Sequence, residues 1–347
     1  MASYILRRIL ISVPLLLAMS FITLGLIRLP QGDVLARYRN DPRYSREIIA
    51  QLEAKYHFNR SFAVQYFYWM KNMFLEWPAP AGAEPAGPAE GLKSWLPTGV
   101  RLDLGYSFDN ERPVVAVIGE RLFNTLLLSV VSLILVWAVA VPLGTYSAVH
   151  QYSPGDKVLS FVSFIGMSFP SFFLALVLLY AVSALGILPA GGLTSVKHAE
   201  MSLVGRIIDI ARHLVVPGLV VVTGSLAGMQ RLMRGNMLEV LRMQYITTAR
   251  AKGLPERRVI YRHALRNAIN PMITIFGYEL SGLLSGVALT EMITSYPGLG
   301  SLMLSAVRSQ DVYLVMASMM IGGVLLIAGN LVADILLAFA DPRISYD

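Results

Sequence analysis

The amino-acid sequence predicts an all-α integral membrane protein with six transmembrane helices and a small helical extracytoplasmic insertion between helices 1 and 2. Of its 347 residues, 55% are hydrophobic and only 15% are charged, whereas about a quarter are charged in a typical soluble domain. The apolar residues are gathered in long blocks, several near the ~20 residues a helix needs to cross a hydrocarbon core about 30 Å thick. Mean hydropathy is +0.57. These features exclude an ordinary soluble enzyme and a disordered chain. Lys+Arg number 29 against 22 Asp+Glu, a net charge of +7. A polytopic membrane protein collects such an excess in its cytoplasmic loops, so nucleic acid is not an expected partner. The chain has no cysteine, which excludes disulfides and thiolate chemistry.

The first apolar block runs over about 9–29, behind Arg7 and Arg8. It is too long for a signal-peptide core, and no small-x-small site follows it, so an uncleaved first span with a cytoplasmic N-terminus is expected. Residues 30–113 change character: charges, most of the Trp and a Pro/Ala/Gly tract from Pro78 to Pro88. Asp41-Pro42 offers a helix cap with proline in the first turn. Ile48, Ile49, Leu52 and Tyr56, then Phe62, Tyr66, Trp69, Met70 and Met73, recur at helical spacing. These stripes predict a small extracytoplasmic subdomain whose aromatics form a packed mini-core or a membrane-interface contact, with a ligand surface as the alternative. Further spans are expected over about 122–148, 158–188 (kinked at Pro170), 214–230 (interrupted by Pro217 and Gly224), 271–292 and 312–339. The organisation is thus a first span (1–29), the subdomain (30–113), a transmembrane region (114–340) and a cytoplasmic tail (341–347).

The segment 231–268 holds nine Lys/Arg against Glu239 and Glu256. Counting spans and counting charges both put it in the cytoplasm. Its centre, Tyr245-Ile-Thr-Thr-Ala-Arg-Ala-Lys-Gly253-Leu-Pro255, predicts a short helix stopped by a left-handed glycine. A second, amphipathic helix over 255–268 carries Arg258, Arg262 and Arg266 on one side, with Val259, Ile260, Ala264 and Leu265 on the other. A rigid helix turned at a glycine between two spans suits docking of a protein partner. The simpler alternative is a basic loop lying on anionic lipid.

The stretch Tyr245 to Ala268 resembles the "EAA" loop of bacterial ABC importer permeases, and in particular the dipeptide/oligopeptide/nickel family, whose loops carry a Thr-Ala-Arg-Ala-Lys-Gly run. Leu104-Gly-Tyr-Ser107, Arg121-Leu-Phe-Asn-Thr-Leu126, Pro170-Ser-Phe-Phe-Leu174, Thr290-Glu-Met-Ile-Thr-Ser-Tyr-Pro-Gly-Leu-Gly300 and Asp341-Pro-Arg-Ile344 resemble the same family in the same order. The Pro-rich tract from Trp77 to Pro97 departs from it. The resemblance implies a type I ABC importer permease fold. It also implies a second homologous permease subunit, two cytoplasmic ATPase subunits and an extracytoplasmic solute-binding protein, importing oligopeptides or dipeptides. Nickel or another small solute is the alternative. It further implies that Thr247, Thr248, Ala249, Arg250, Ala251, Lys252, Gly253 and Leu254 contact the ATPase as a coupling helix.

The chain carries no Gly-x-x-x-x-Gly-Lys-Ser/Thr loop, so ATP and Mg are expected on partner subunits, and no cofactor on this one. The five histidines have no metal-ligand spacing, and there is no His-Glu-x-x-His or pair of membrane aspartates. No catalytic residue or metal site is therefore expected. No internal repeat points to a secondary transporter. Glu279, Ser281 and Ser285 in the fifth span are candidate pathway-lining residues, Glu279 because an ionisable group at membrane depth is costly without a role. Asp334 is expected to pair with a cytoplasmic basic residue.

Overall fold

The computed structural model describes residues 2–27, 35, 39, 44–74, 103–273, 275–276 and 288–340. Among them the chain is almost wholly helical. Four helices are long and apolar enough to cross a membrane, and a bent helix pair brings the number to five. Most of the expected span 271–292 lies outside the described residues.

The chain divides into two units. The first comprises Met1–Ile5, Thr125–Gly300 and Leu325–Asp347, and the second Leu6–Asn124 and Ser301–Val324.

The helix α1 (Ala2–Ile27), which lies in the second unit from Leu6 onward, supplies an apolar stretch from Ile5 to Ile27. The helix α2 (Arg46–Lys55) starts at Ser45, whose Oγ accepts the Ile48 N–H at 3.3 Å. Asp41-Pro42, the expected start, lies outside the described residues. The helix α3 (Phe62–Phe74) buries Trp69 and Met73. Trp69 Nε1 donates to the Leu104 carbonyl at 3.2 Å, and Phe21 of α1 meets Phe62 and Tyr66 edge-on. Tyr56, Phe58, Phe108 and Tyr313 form one aromatic cluster, with Phe108 edge-on to Tyr56 at 5.2 Å.

A two-stranded hairpin, β1 (Tyr106–Ser107) against β2 (Arg112–Pro113), follows. Its anchor is Asp311, which is 1% exposed. One carboxylate oxygen accepts Ser107 Oγ–H at 2.6 Å and the Asp109 N–H at 3.1 Å, and the other accepts the Leu314 N–H at 3.3 Å. Asp311 therefore caps the last helix and holds the hairpin at once. Burial pushes its carboxyl above the ordinary aspartate range. We expect Asp311→Ala to cost about 2–4 kcal/mol, since it leaves several buried donors without an acceptor. Limited proteolysis near residues 103–113 checks this: cleavage accelerates if Asp311 is the anchor.

The helix α4 (Val114–Val149) has 36 residues and starts eight residues before the expected span. The charged Glu120 and Arg121 mark the apolar boundary in the sequence, but Glu120 pairs with Arg112 at 2.6 Å and the helix continues through it.

In the first unit, the expected single span 158–188 is two helices, α5 (Pro154–Ser168) and α6 (Ser171–Leu185), bent by 101° at a break rather than kinked. Phe169 precedes a proline and is extended, with ψ 131°, and Pro170 has no N–H to give. Ser153 caps α5, accepting the Asp156 N–H at 3.1 Å.

The expected span 214–230 is part of a longer helix. The helix α7 (Leu203–Leu241) runs unbroken for 39 residues, about 58 Å at 1.5 Å per residue. Ser202 caps it, and Pro217 and Gly224 sit inside it without ending it. Neighbouring helices make this tolerable by packing around the proline, which is buried. The loop expected over 231–268 therefore begins as helix as far as Leu241.

Beyond the undescribed stretch come α11 (Ala288–Ile293), α12 (Leu299–Arg308) and α13 (Val312–Ala340).

Candidate functional site

The chain leaves α7 at Arg242 and turns at Met243, whose backbone is extended, into α8 (Gln244–Ala251). The helix α8 is too short to be stable alone. It is held by Ile246 (0% exposed) and Ala249, packed in one core with Met233 and Met237 of α7 and with Val259, Ile260, Ala264 and Ala268.

Its end is locally encoded. Gly253 has φ +73°. Its N–H donates to the Arg250 carbonyl at 2.9 Å, and the Leu254 N–H reaches back to the Ala249 carbonyl at 3.4 Å. This pair of bonds is a Schellman cap, closed by the contact of Leu254 with the same core. Pro255 then opens a second helical run, made of α9 (Glu256–Arg258), a π-wound stretch Val259–Ala264, and α10 (Leu265–Ala268). The Asn236 side-chain amide donates to the Ala268 carbonyl at 3.1 Å, and that of Asn267 donates to Tyr245 Oη at 2.9 Å. The first bond ties this run to the end of α7, and the second ties it to α8.

The expected contact residues divide by this packing. Thr247, Thr248, Arg250, Ala251, Lys252 and Gly253 are exposed on one surface. Ala249 faces the core and Leu254 is half-buried, so these two hold the element rather than present it. Arg258, Arg262 and Arg266 are exposed while Val259, Ile260 and Ala264 are buried. Nothing in the local residue types announces the π winding. Glu279, Ser281 and Ser285 lie outside the described residues. Among the described residues no group of three His, Asp or Glu side chains is arranged to hold a metal ion.

Arg250 has an acidic partner within the chain. It forks onto Glu256, with Nη2 to Oε1 at 2.6 Å and Nε to Oε2 at 3.2 Å. Its hydrogen bond holds the Glu256 carboxyl below the ordinary glutamate range. A carboxylate lowered in this way contributes stability above its unfolded pKa and loses it as pH falls through the native one. Both side chains are about half exposed, so the contribution is under about 1 kcal/mol. Glu256→Gln should lower the protection factors of the Gly253 and Leu254 amides a few-fold at neutral pH, and acidification of the wild type should lower the same protection factors once the intrinsic pH dependence of exchange is divided out.

A second polar cluster escaped the sequence reading. Asp156 at the start of α5 is 3% exposed and is gripped by Arg234 of α7. The clue was available: an acid two residues past a Ser-Pro helix start, and an arginine on the basic side of a span.

The arrangement provides a small rigid surface at the end of a membrane-length helix. Residues 140–346 match the family described as "Binding-protein-dependent transport system inner membrane component". Over the full length of both chains, the protein is 38% identical to the oligopeptide transport system permease protein AppB of Bacillus subtilis. It is likewise 31% identical to the dipeptide transport system permease protein DppB of Alkalihalophilus pseudofirmus and 31% identical to the oligopeptide transport system permease protein OppB of Haemophilus influenzae. By that match, and with helices of membrane length, the chain belongs to the binding-protein-dependent transport system inner membrane components, the multi-pass permease subunits of ABC importers.

Proposed function

We propose that this subunit forms half of the pathway of an ATP-driven importer of oligopeptides or dipeptides. In this reading a second, homologous permease completes the pathway, and an extracytoplasmic binding protein delivers the solute. Two cytoplasmic ATPase subunits hydrolyse ATP with Mg, and this chain binds no cofactor. Both termini and the 242–268 hairpin face the cytoplasm. The exposed surface of Thr247, Thr248, Arg250, Ala251, Lys252 and Gly253 seats in a groove of an ATPase. Closure of the ATPases pushes α8, and α7 carries the push into the membrane.

The observation that carries this reading is the construction of α8: one face fused to α7 through Ile246 and Ala249, the other open, and the end fixed by a Schellman cap. A lipid-resting loop needs no such fusion. The names of the relatives support peptide as the solute class.

The test is uptake into proteoliposomes holding the assembled importer, with ATP on the ATPase side. Labelled tri- to pentapeptides should accumulate only with ATP and binding protein, and unlabelled peptide should compete. Competition by Ni²⁺ but not by peptide would replace the solute class, and uptake without nucleotide would remove the importer mechanism.

A further inference from the structure

The end of α7 that leads into α8 grips α5 through three successive polar contacts. Arg234 forks onto the Asp156 carboxylate, with Nη2 to Oδ2 at 2.9 Å and Nε to Oδ1 at 3.1 Å. The Tyr152 N–H donates to the same carboxylate at 2.9 Å. One turn earlier, Gln230, 1% exposed, accepts Ser163 Oγ–H at 2.6 Å and donates to Ser147 of α4 at 3.2 Å. Arg231 lies over the Phe164 ring at 5.4 Å and reaches Met167 Sδ at 3.1 Å.

Such contacts differ in kind from apolar packing. Packed apolar helices slide by small shears, whereas a buried forked pair fixes orientation as well as distance. Removing Arg234 would leave the buried Asp156 carboxylate with little water to compensate it. The helix α7 is continuous from Gln230 to Leu241, and α8 shares its core. A displacement of α8 therefore passes through the turn at Met243 and the shared core into α7, and from there reaches α5 with no break inside α7. Beyond α7, the first joint lies at the far end of α5, at the extended Phe169 and Pro170, where the chain bends by 101°.

We propose that Asp156 and Arg234 are positioning residues that lock α5 to the coupling element, so that each ATP-driven stroke swings α5 about the Phe169–Pro170 break. This rests on the reading of α8 as the ATPase contact. Neither residue touches solute or nucleotide in this scheme. Their effect is on how much hydrolysis is converted into transport.

The test uses the reconstituted importer with all its subunits. Asp156→Asn should lower uptake per ATP hydrolysed ~10-fold, with hydrolysis itself within about two-fold of wild type, and Arg234→Lys, which keeps charge without the fork, should fall between. Because the chain has no cysteine, Phe161→Cys and Arg262→Cys accept spin labels on α5 and on the coupling hairpin; both positions are exposed. With the lock intact, the label distance stays the same with and without ATP; in Asp156→Asn it becomes nucleotide-dependent. The proposal is overturned if that distance already changes in the otherwise wild-type protein. It is overturned equally if Asp156→Asn keeps the normal uptake-to-ATP ratio, or loses uptake only in proportion to subunit lost from the membrane. Gly253→Trp measured alongside separates the two levels. If it uncouples while Asp156→Asn does not, the lock is wrong and the docking reading stands; if neither uncouples, the docking reading itself has failed.

Discussion

Gly298→Ala should strip most of the subunit from the membrane fraction. A β-carbon at Gly298 would overlap the Glu291 carboxylate. Glu291 is 1% exposed. It accepts the Thr125 Oγ–H at 3.1 Å, and Thr125 Oγ in turn accepts the Leu299 N–H at 2.6 Å. Moving Glu291 therefore breaks the tie between α4 and α11 beside the turn that leads to α12. Overpacking and the loss of buried hydrogen bonds together come to about 2–5 kcal/mol, against a total stability of roughly 5–15 kcal/mol for a typical protein. Membrane content by immunoblot and melting in detergent are the readouts. Gly224→Ala is the control. A β-carbon there meets nothing within 4 Å, and alanine inside α7 should gain about 0.5–1 kcal/mol. Normal levels of Gly298→Ala would mean that the Glu291 lock is not what holds this turn.

The second large effect falls on transport and spares folding. Gly253→Trp should leave the subunit inserted and lower peptide uptake by about 100-fold, the scale of losing a central interface contact. Strain at φ +73° costs a non-glycine residue about 1–2 kcal/mol, which the core around Ile246 can absorb. The space beside Gly253 is open, with nothing within 4 Å of a β-carbon, so the indole projects outward where the ATPase groove is proposed to sit. Gly253→Ala shares the strain without the bulk and should keep most of the uptake. ATP hydrolysis measured alongside should persist in both. Wild-type uptake by the Trp variant would remove Gly253 from the coupling surface.

The legibility of these features in the sequence followed their range. The α8 element was readable because its determinants are neighbours: a glycine stop, a proline restart and apolar residues at helical spacing within about two dozen positions. Apolar blocks announced the long helices, yet the helix ends depart from the block ends wherever a breaker or a charge stands inside a helix held by its surroundings. Pro217 is buried within α7, and Glu120 continues α4 by pairing with Arg112. The locks were hidden for a different reason. Ser107 meets Asp311 across 204 residues and Thr125 meets Glu291 across 166, and no local pattern encodes such a pairing. The motifs that carried the family resemblance contain members of both pairs: Ser107 in the Leu-Gly-Tyr-Ser run, Thr125 in the Asn-Thr-Leu run and Glu291 in the Thr-Glu-Met run. Which face of α8 is presented also required packing, since Ala249 and Leu254 look like surface residues until the core around Met233 and Met237 is in place.

In the proposed coupling scheme, the open face of α8 is seated on a separate ATPase subunit. In the cysteine-free chain, Thr248→Cys carrying a short photoactivatable cross-linker reads this directly in membranes containing the whole importer. The expected product is a covalent adduct between this subunit and an ATPase polypeptide, identified by mass spectrometry, with the introduced thiol shielded from a water-soluble thiol reagent until the ATPases are stripped away. Adducts confined to lipid or to the extracytoplasmic binding protein, with that thiol freely labelled in the intact assembly, would contradict it.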